Sequence, residues 1–189
     1  MGIGVYRDRK NDVCSLFFIY LDHKMSSILF LDFDGVLNSG SNYRKLQMSG
    51  LPTKDEFGTL FDAEAVNCLR KIVDARRTII VVISSWRYIY DLDTLREMWR
   101  QRDLPGILYG ITPCDILLSS DERCVKGVEI KEWFERQGLD ETKYSFVILD
   151  DEDEFLREQQ CHFIRINPEV GITENDAERA IQVLYKGGL

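Results

Sequence analysis

The sequence predicts an α/β fold, a three-layer sandwich around a central, mostly parallel sheet, and three observations predict it. Short, uniformly apolar runs recur at "ILFL" (28–31), "TIIVVI" (78–83) and "SFVIL" (145–149). Such runs suit strands buried on both faces, as parallel strands are. Amphipathic stretches of helical length lie between them, the pattern of strand–helix–strand crossovers. The length, 189 residues, fits one domain with a substantial core. The expectation is a Rossmann-like sheet with helices on both faces.

Taken in order, "ILFL" forms the first strand. Residues 38–60 are polar, contain glycine and break at "SGLPT", which reads as a loop or flap. In "FDAEAVNCLRKIVDARR", Val66, Leu69 and Val73 share one helical face, with Asp62 as N-cap. "TIIVVI" is the second strand. "DLDTLREMWRQRDLPG" places Leu92, Leu95 and Trp99 on one face and stops at Pro105-Gly106; Arg96, Arg100 and Arg102 read as a solvated face. "ILYGI" is a short strand. "KGVEIKEWFERQG" is a helix with Ile130, Trp133 and Phe134 inward and Gly138 as its stop. "SFVIL" is a strand, "EFLREQQ" a short helix and "HFIRI" a weaker strand. "TENDAERAIQVLYKGG" closes as a helix capped by Thr173, with Asp176 three residues on.

Residues 1–27 read as an N-terminal extension to a domain spanning 28–189. The apolar run Val13 to Leu21 is too short to span a bilayer, and no small-residue cleavage site follows. Met25 offers an alternative start, "MSSILFLDFDGVLN". The five cysteines are scattered with no C-x-x-C pair, which disfavours a disulfide framework or zinc site and suits a cytoplasmic protein. A net charge of -8 excludes a broad phosphate-backbone-binding surface, which needs clustered Lys and Arg.

In parallel sheets, ligands bind beyond the carboxyl ends of strands. The first strand ends in Asp32 and Asp34, the second in Ser84, Ser85, Trp86 and Arg87, and "SFVIL" in Asp150 and Asp151. Lys126 stands at the start of a helix between them in chain order. Carboxylates converging from two buried strands repel, and a divalent cation relieves that repulsion. Oxygen-only ligands suit magnesium.

"DFDGV", the strand-end Ser84, Lys126 and "ILDD" stand in the order of the haloacid dehalogenase-like (HAD) hydrolase superfamily, which the chain resembles from about residue 28 to at least 155. The resemblance implies a magnesium-dependent phosphomonoester phosphatase. Asp32 would be the nucleophile and form an aspartyl phosphate. Asp34 would be the acid for the leaving group and then the base for water. Ser84 would bond the phosphoryl oxygens, with Ser85 as the alternative. Lys126 would neutralise charge, with Lys131 as the alternative. Asp32, the backbone carbonyl of Asp34, Asp150 and Asp151 would hold the metal. Gly35 would permit a tight turn with its N–H toward phosphate. Arg87 has two readings, a substrate contact or a salt bridge; Trp86 reads as packing, with stacking on a substrate ring as the alternative. The extra acid usual four residues beyond Asp151 is Phe155 here.

The gaps at 38–83 and 88–125 leave no room for a full cap domain, so the site is expected to be open. An open site admits a macromolecular substrate, a phosphoprotein or a nucleic-acid end, or closure by another subunit. The alternatives are a phosphotransferase of the same superfamily and a degenerate, binding-only member. A receiver domain is disfavoured because its acid pair precedes its lysine. A D-x-D transferase would leave Ser84, Lys126 and "LDD" unexplained.

Overall fold

The computed structural model describes residues 27–115 and 125–187. Five parallel strands form the central sheet: β1 (Ser27–Leu31), β4 (Thr78–Val82), β5 (Ile107–Ile111), β6 (Phe146–Asp150) and β7 (Phe163–Arg165). Their spatial order is β5-β4-β1-β6-β7. The chain builds outward from β1 on one side, then returns to build outward on the other. The order therefore reverses at β1, and the crevice of such a sheet opens beyond the carboxyl ends of β1 and its neighbours.

Alternation along the strands divides the core in two. Leu29, Leu31, Ile80, Val82, Val147 and Leu149 face helices α2 (Ala63–Ala75), α3 (Leu92–Gln101) and α5 (Glu174–Lys186). Ile28, Phe30, Ile79, Val81, Phe146 and Ile148 face α4 (Val125–Arg136). Phe30 is fully buried and meets Trp133 edge-on at 5.5 Å and Phe146 at 5.8 Å. Phe30→Ala is expected to cost about 3–5 kcal/mol of stability. That loss would appear as a lower urea midpoint with an unchanged denaturant slope.

Most expected elements are present, and α5 carries the Thr173–Asp176 capping box. The stretch 38–60 differs. It contains helix α1 (Gly40–Met48) and a hairpin of β2 (Lys54–Asp55) with β3 (Gly58–Thr59). α1 buries no residue, so it has no apolar period to read; the Ser39 hydroxyl, accepting the Asn42 N–H at 3.2 Å, starts it instead. Asp62 stands at the N-cap position of α2 but makes no capping bond. Its carboxylate accepts from the Ser39 hydroxyl at 2.5 Å and the Ser39 N–H at 3.2 Å, tying α1 to α2. Burial raises its pKa above the usual carboxylate value. On α2, Leu69 and Val73 are buried while Val66 is only partly so.

The short helix expected at "EFLREQQ" is only a 3₁₀ turn, Arg157–Gln159, and two of the three arginines read as a solvated face are engaged elsewhere. Arg100 is exposed and paired with Glu97, as a solvated face requires. Arg96 reaches the carbonyls of Leu108 and Tyr109 on β5. The Arg102 side chain is only 8% exposed and binds the β2–β3 hairpin, so it is structural rather than solvated.

Between β1 and α2 the chain adds only α1 and the hairpin; no cap-sized unit stands there among the described residues. No helix among them is long and apolar enough to cross a membrane. Of the N-terminal extension, residues 1–26 lie outside the described residues, and Ser27 already belongs to β1.

Candidate active site

An open cleft of about 510 Å³ lies beyond the carboxyl ends of β1 and β6. Asp32, Asp34, Gly35, Ser85, Lys126 and Asp151 are among the residues that line it. The first three come from the turn after β1, Ser85 from the turn after β4, and Asp151 from the residue following β6.

Lys126 is the central cation. Its Nζ lies 3.0 Å from Asp32 Oδ2 and 2.7 Å from Asp150 Oδ2. Burial alone would lower the lysine's pKa, but the Asp32 and Asp150 charges, with their hydrogen bonds, raise it overall, so it stays protonated. The helix that carries it is clamped. The Gly127 N–H donates to the Glu154 carbonyl at 2.9 Å, and the Gln159 amide donates to the Gly127 carbonyl at 3.0 Å. A Cβ at Gly127 would lie 2.6 Å from the Leu156 nitrogen, so only glycine lets the two segments meet. Lys131, one helical turn further on, is exposed and does not reach the cleft.

Asp32 is buried, with Oδ1 accepting the Phe33 N–H at 2.7 Å. Asp150 is wholly buried, and its Oδ1 accepts the Glu152 N–H at 2.9 Å. Burial pushes the Asp150 pKa well above the carboxylate range, helped by the Asp32 charge and opposed by Lys126. The same two causes raise Asp151. One carboxylate oxygen from each of Asp32, Asp150 and Asp151 lies within 4.8 Å of the others. Three oxygens that close, with a single lysine against three potential negative charges, fit a hard divalent cation. The Asp34 carboxylate is outside this group. Its Oδ1 accepts from the Asn38 amide at 2.7 Å and its Oδ2 from the Trp86 indole at 2.9 Å.

Gly35 has a φ of +72°, and a Cβ there would lie 2.7 Å from Asp151 Oδ2. Both a left-handed backbone and the approach of Asp151 therefore require glycine. Its N–H is not free for phosphate, because the Asn38 carbonyl and Asn38 Oδ1 both accept it at 3.0 Å.

The turn after β4 departs most from expectation. Ser84 is fully buried, and its hydroxyl accepts the Trp86 N–H at 3.4 Å as the cap of a 3₁₀ turn, Ser85–Tyr88. Ser85, not Ser84, is the hydroxyl on the cleft wall. Arg87 is not a cleft residue. Its side chain is buried against Glu129 and bonds the Ile83 carbonyl, because the 3₁₀ turn rotates it toward α4. The pair links the serine turn to the helix that carries Lys126, three residues before Glu129. Phe155 points into the core, packed on Phe163, and supplies no ligand.

Asn38 and Trp86 touch Asp34, contacts that the sequence reading does not contain. Asn38 sits four residues after Asp34, a spacing that suits a turn contact. No local signal announces that the Trp86 indole reaches Asp34.

No curated protein and no solved structure matches the chain. One family profile does, described as the HAD domain in Swiss Army Knife RNA repair proteins, over residues 28–177. The matched span contains every cleft residue named above and all five strands but the first residue of β1. The sheet, the cleft at its reversal point and this match agree, and the chain belongs to the HAD-like hydrolase superfamily, in the family of HAD domains of Swiss Army Knife RNA repair proteins.

Proposed function

We propose that the protein is a magnesium-dependent phosphomonoester phosphatase that acts on the phosphorylated end of a nucleic-acid strand. The observation that carries the reading is the Asp32–Lys126–Asp150 arrangement beside Asp151, with Asp34 held separately on the cleft. This arrangement divides two tasks between two carboxylates.

In the first step an Asp32 oxygen bonds to phosphorus. The P–O bond to the leaving group breaks, and the departing oxygen takes a proton from Asp34. In the second step a water oxygen bonds to phosphorus, the Asp32–phosphorus bond breaks, and the water's proton returns to Asp34. Inorganic phosphate leaves and the carboxylates are reset. Attack by an anion on an anion needs cancelling charge, which Lys126 supplies from 3.0 Å. Ser85 supplies a hydroxyl for a phosphoryl oxygen. Magnesium, when bound by Asp32, Asp150, Asp151 and the Asp34 carbonyl, supplies further positive charge against the phosphoryl group.

Three features support a strand end as substrate. The family is named for RNA repair. The cleft is open, and no cap covers it among the described residues. Tyr43, 44% exposed on α1, lines it and offers a ring on which a terminal base can stack. Among the described residues, Lys126 is the only cationic side chain on the cleft wall, beside Asp32, Asp34, Asp151, Glu152 and Glu169. Such a wall takes one terminal phosphate and does not track a polyanionic backbone.

The test is a phosphate-release panel with and without magnesium: oligonucleotides phosphorylated at the 3′ or 5′ end, a phosphopeptide and a sugar phosphate. Magnesium-dependent release from an oligonucleotide end, with higher kcat/KM than from the other two, is expected. Preference for the sugar phosphate would refute the substrate assignment, and release unaffected by chelation would refute the metal.

A further inference from the structure

Asp34 is an exposed side chain on a turn. Yet both its oxygens are engaged, by Asn38 at 2.7 Å and by the Trp86 indole at 2.9 Å. We propose that Trp86 and Asn38 are positioning residues for Asp34, and that the β2–β3 hairpin, tied down by Arg102, holds Trp86 in place for this purpose. The proposal rests on the role given to Asp34 in the phosphatase reading.

The chemistry of the two donors suits a group that must gain and lose a proton. Asp32 and Asp150 share an ammonium ion. Asp34 instead has two neutral donors, which fix its orientation without adding a charge. Each of its oxygens accepts one bond and keeps a second lone pair, on which a proton can ride toward the cleft. The Asn38 amide has one workable orientation. Its Oδ1 accepts the Gly35 N–H at 3.0 Å, which leaves Nδ2 to face Asp34.

Trp86 is set by packing on three sides. Its ring meets Phe33 edge-on at 5.5 Å, Phe61 at 5.7 Å and Tyr90 at 6.1 Å. The fourth side is the hairpin, where a Cβ on Gly58 would lie 3.1 Å from the indole's outer edge. Arg102 fastens that hairpin. It donates to both Asp55 oxygens, to the Gly58 carbonyl and to the Thr59 carbonyl, while its guanidinium lies 4.6 Å from the Phe61 ring and 5.7 Å from the Trp86 ring. The line of support runs from α3 through the hairpin and the indole to the cleft. Trp99 makes the contrast: its indole N–H goes to the Pro105 carbonyl, a backbone contact that serves the fold alone.

Acid catalysis matters most when the leaving group is a poor one. The test therefore compares kcat/KM, which reports the first phosphoryl transfer, on a nucleoside 3′-phosphate and on p-nitrophenyl phosphate. Trp86→Phe keeps an aromatic ring and removes the N–H. It is expected to lose about ten-fold on the nucleoside phosphate and less than about two-fold on p-nitrophenyl phosphate. Asn38→Ala, which leaves the backbone bond to Gly35 intact, should show the same selective loss and carries the test alone if Trp86→Phe does not unfold cooperatively. Placed on an Asp34→Ala background, Trp86→Phe should cause no further loss on p-nitrophenyl phosphate. Equal losses on both substrates, or a further loss on that background, would overturn the proposal. A wild-type protein that releases phosphate from neither substrate is a separate result, and it removes the phosphatase reading together with the inference built on it.

Discussion

Asp32→Asn should release no measurable phosphate from any substrate of the wild-type protein, a loss of about four orders of magnitude or more. The amide matches the carboxylate in shape and can still accept the Phe33 N–H that Oδ1 now takes at 2.7 Å. What it lacks is the charge and the nucleophilic lone pair from which the phosphorus bond is made. The same change should not weaken the metal-free fold. The Asp32 charge raises the pKa of both Asp150 and Asp151, after burial itself, so it disfavours their ionised forms. Removing it relieves that repulsion and leaves Lys126 paired with Asp150. Unfolding of the variant in chelator should therefore occur at the same urea concentration as wild type or a higher one. This is the trade between activity and stability expected where like charges are gathered for chemistry. Activity retained above about one per cent of wild type would exclude Asp32 as the nucleophile.

Lys126→Met should lower kcat by about 10²–10³-fold, the usual cost of losing one preorganised donor at a developing charge. Its effect on stability depends on pH. Asp150 is wholly buried, faces Asp32 and Asp151, and has Lys126 as its ion-pair partner. Without the ammonium its folded-state pKa rises further above the unfolded value. The folded protein then binds more protons than the unfolded chain, so stability falls as pH rises through that range. With chelator present, the gap between the unfolding midpoints of variant and wild type should widen from pH 6 to pH 8. A gap that stays constant would show that Lys126 does not govern the charge on Asp150.

The strands and the acids at their ends were legible because both follow from burial. A parallel strand covered on two faces is an unbroken apolar run, and the first polar residues after it stand at the crevice. Asp32, Asp34, Asp150 and Asp151 were readable in this way, and all but Asp150 line the cleft. Lys126 was preferred to Lys131 because it opens a helix, and the structure puts it against Asp32.

What was hidden depends on rotations of single residues. The 3₁₀ turn after β4 buries Ser84, exposes Ser85 and sends Arg87 toward Glu129, though the four residues from Ser84 to Arg87 are consecutive. Trp86 meets a carboxylate 52 positions earlier in the chain, and Arg102 meets Asp55 across 47. No local pattern carries contacts of that range. Helix α1 was missed for the opposite reason: it is local, but it has no buried face to mark it.

Gly35 shows how tolerance to substitution can mislead. The Asp151 carboxylate occupies the space where its side chain would begin, 2.7 Å from the position of a Cβ. Residue 35 thus acts as a spacer of zero thickness between the β1 turn and the end of β6, and it sets how near the Asp151 oxygens can come to Asp32. A saturation screen scored on turnover would rank this position beside Asp32, since every side chain from alanine upward pushes Asp151 outward. A geneticist reading that ranking would infer a chemical role for a residue that moves no proton and bonds no phosphate. What it contributes is a left-handed turn and thinness.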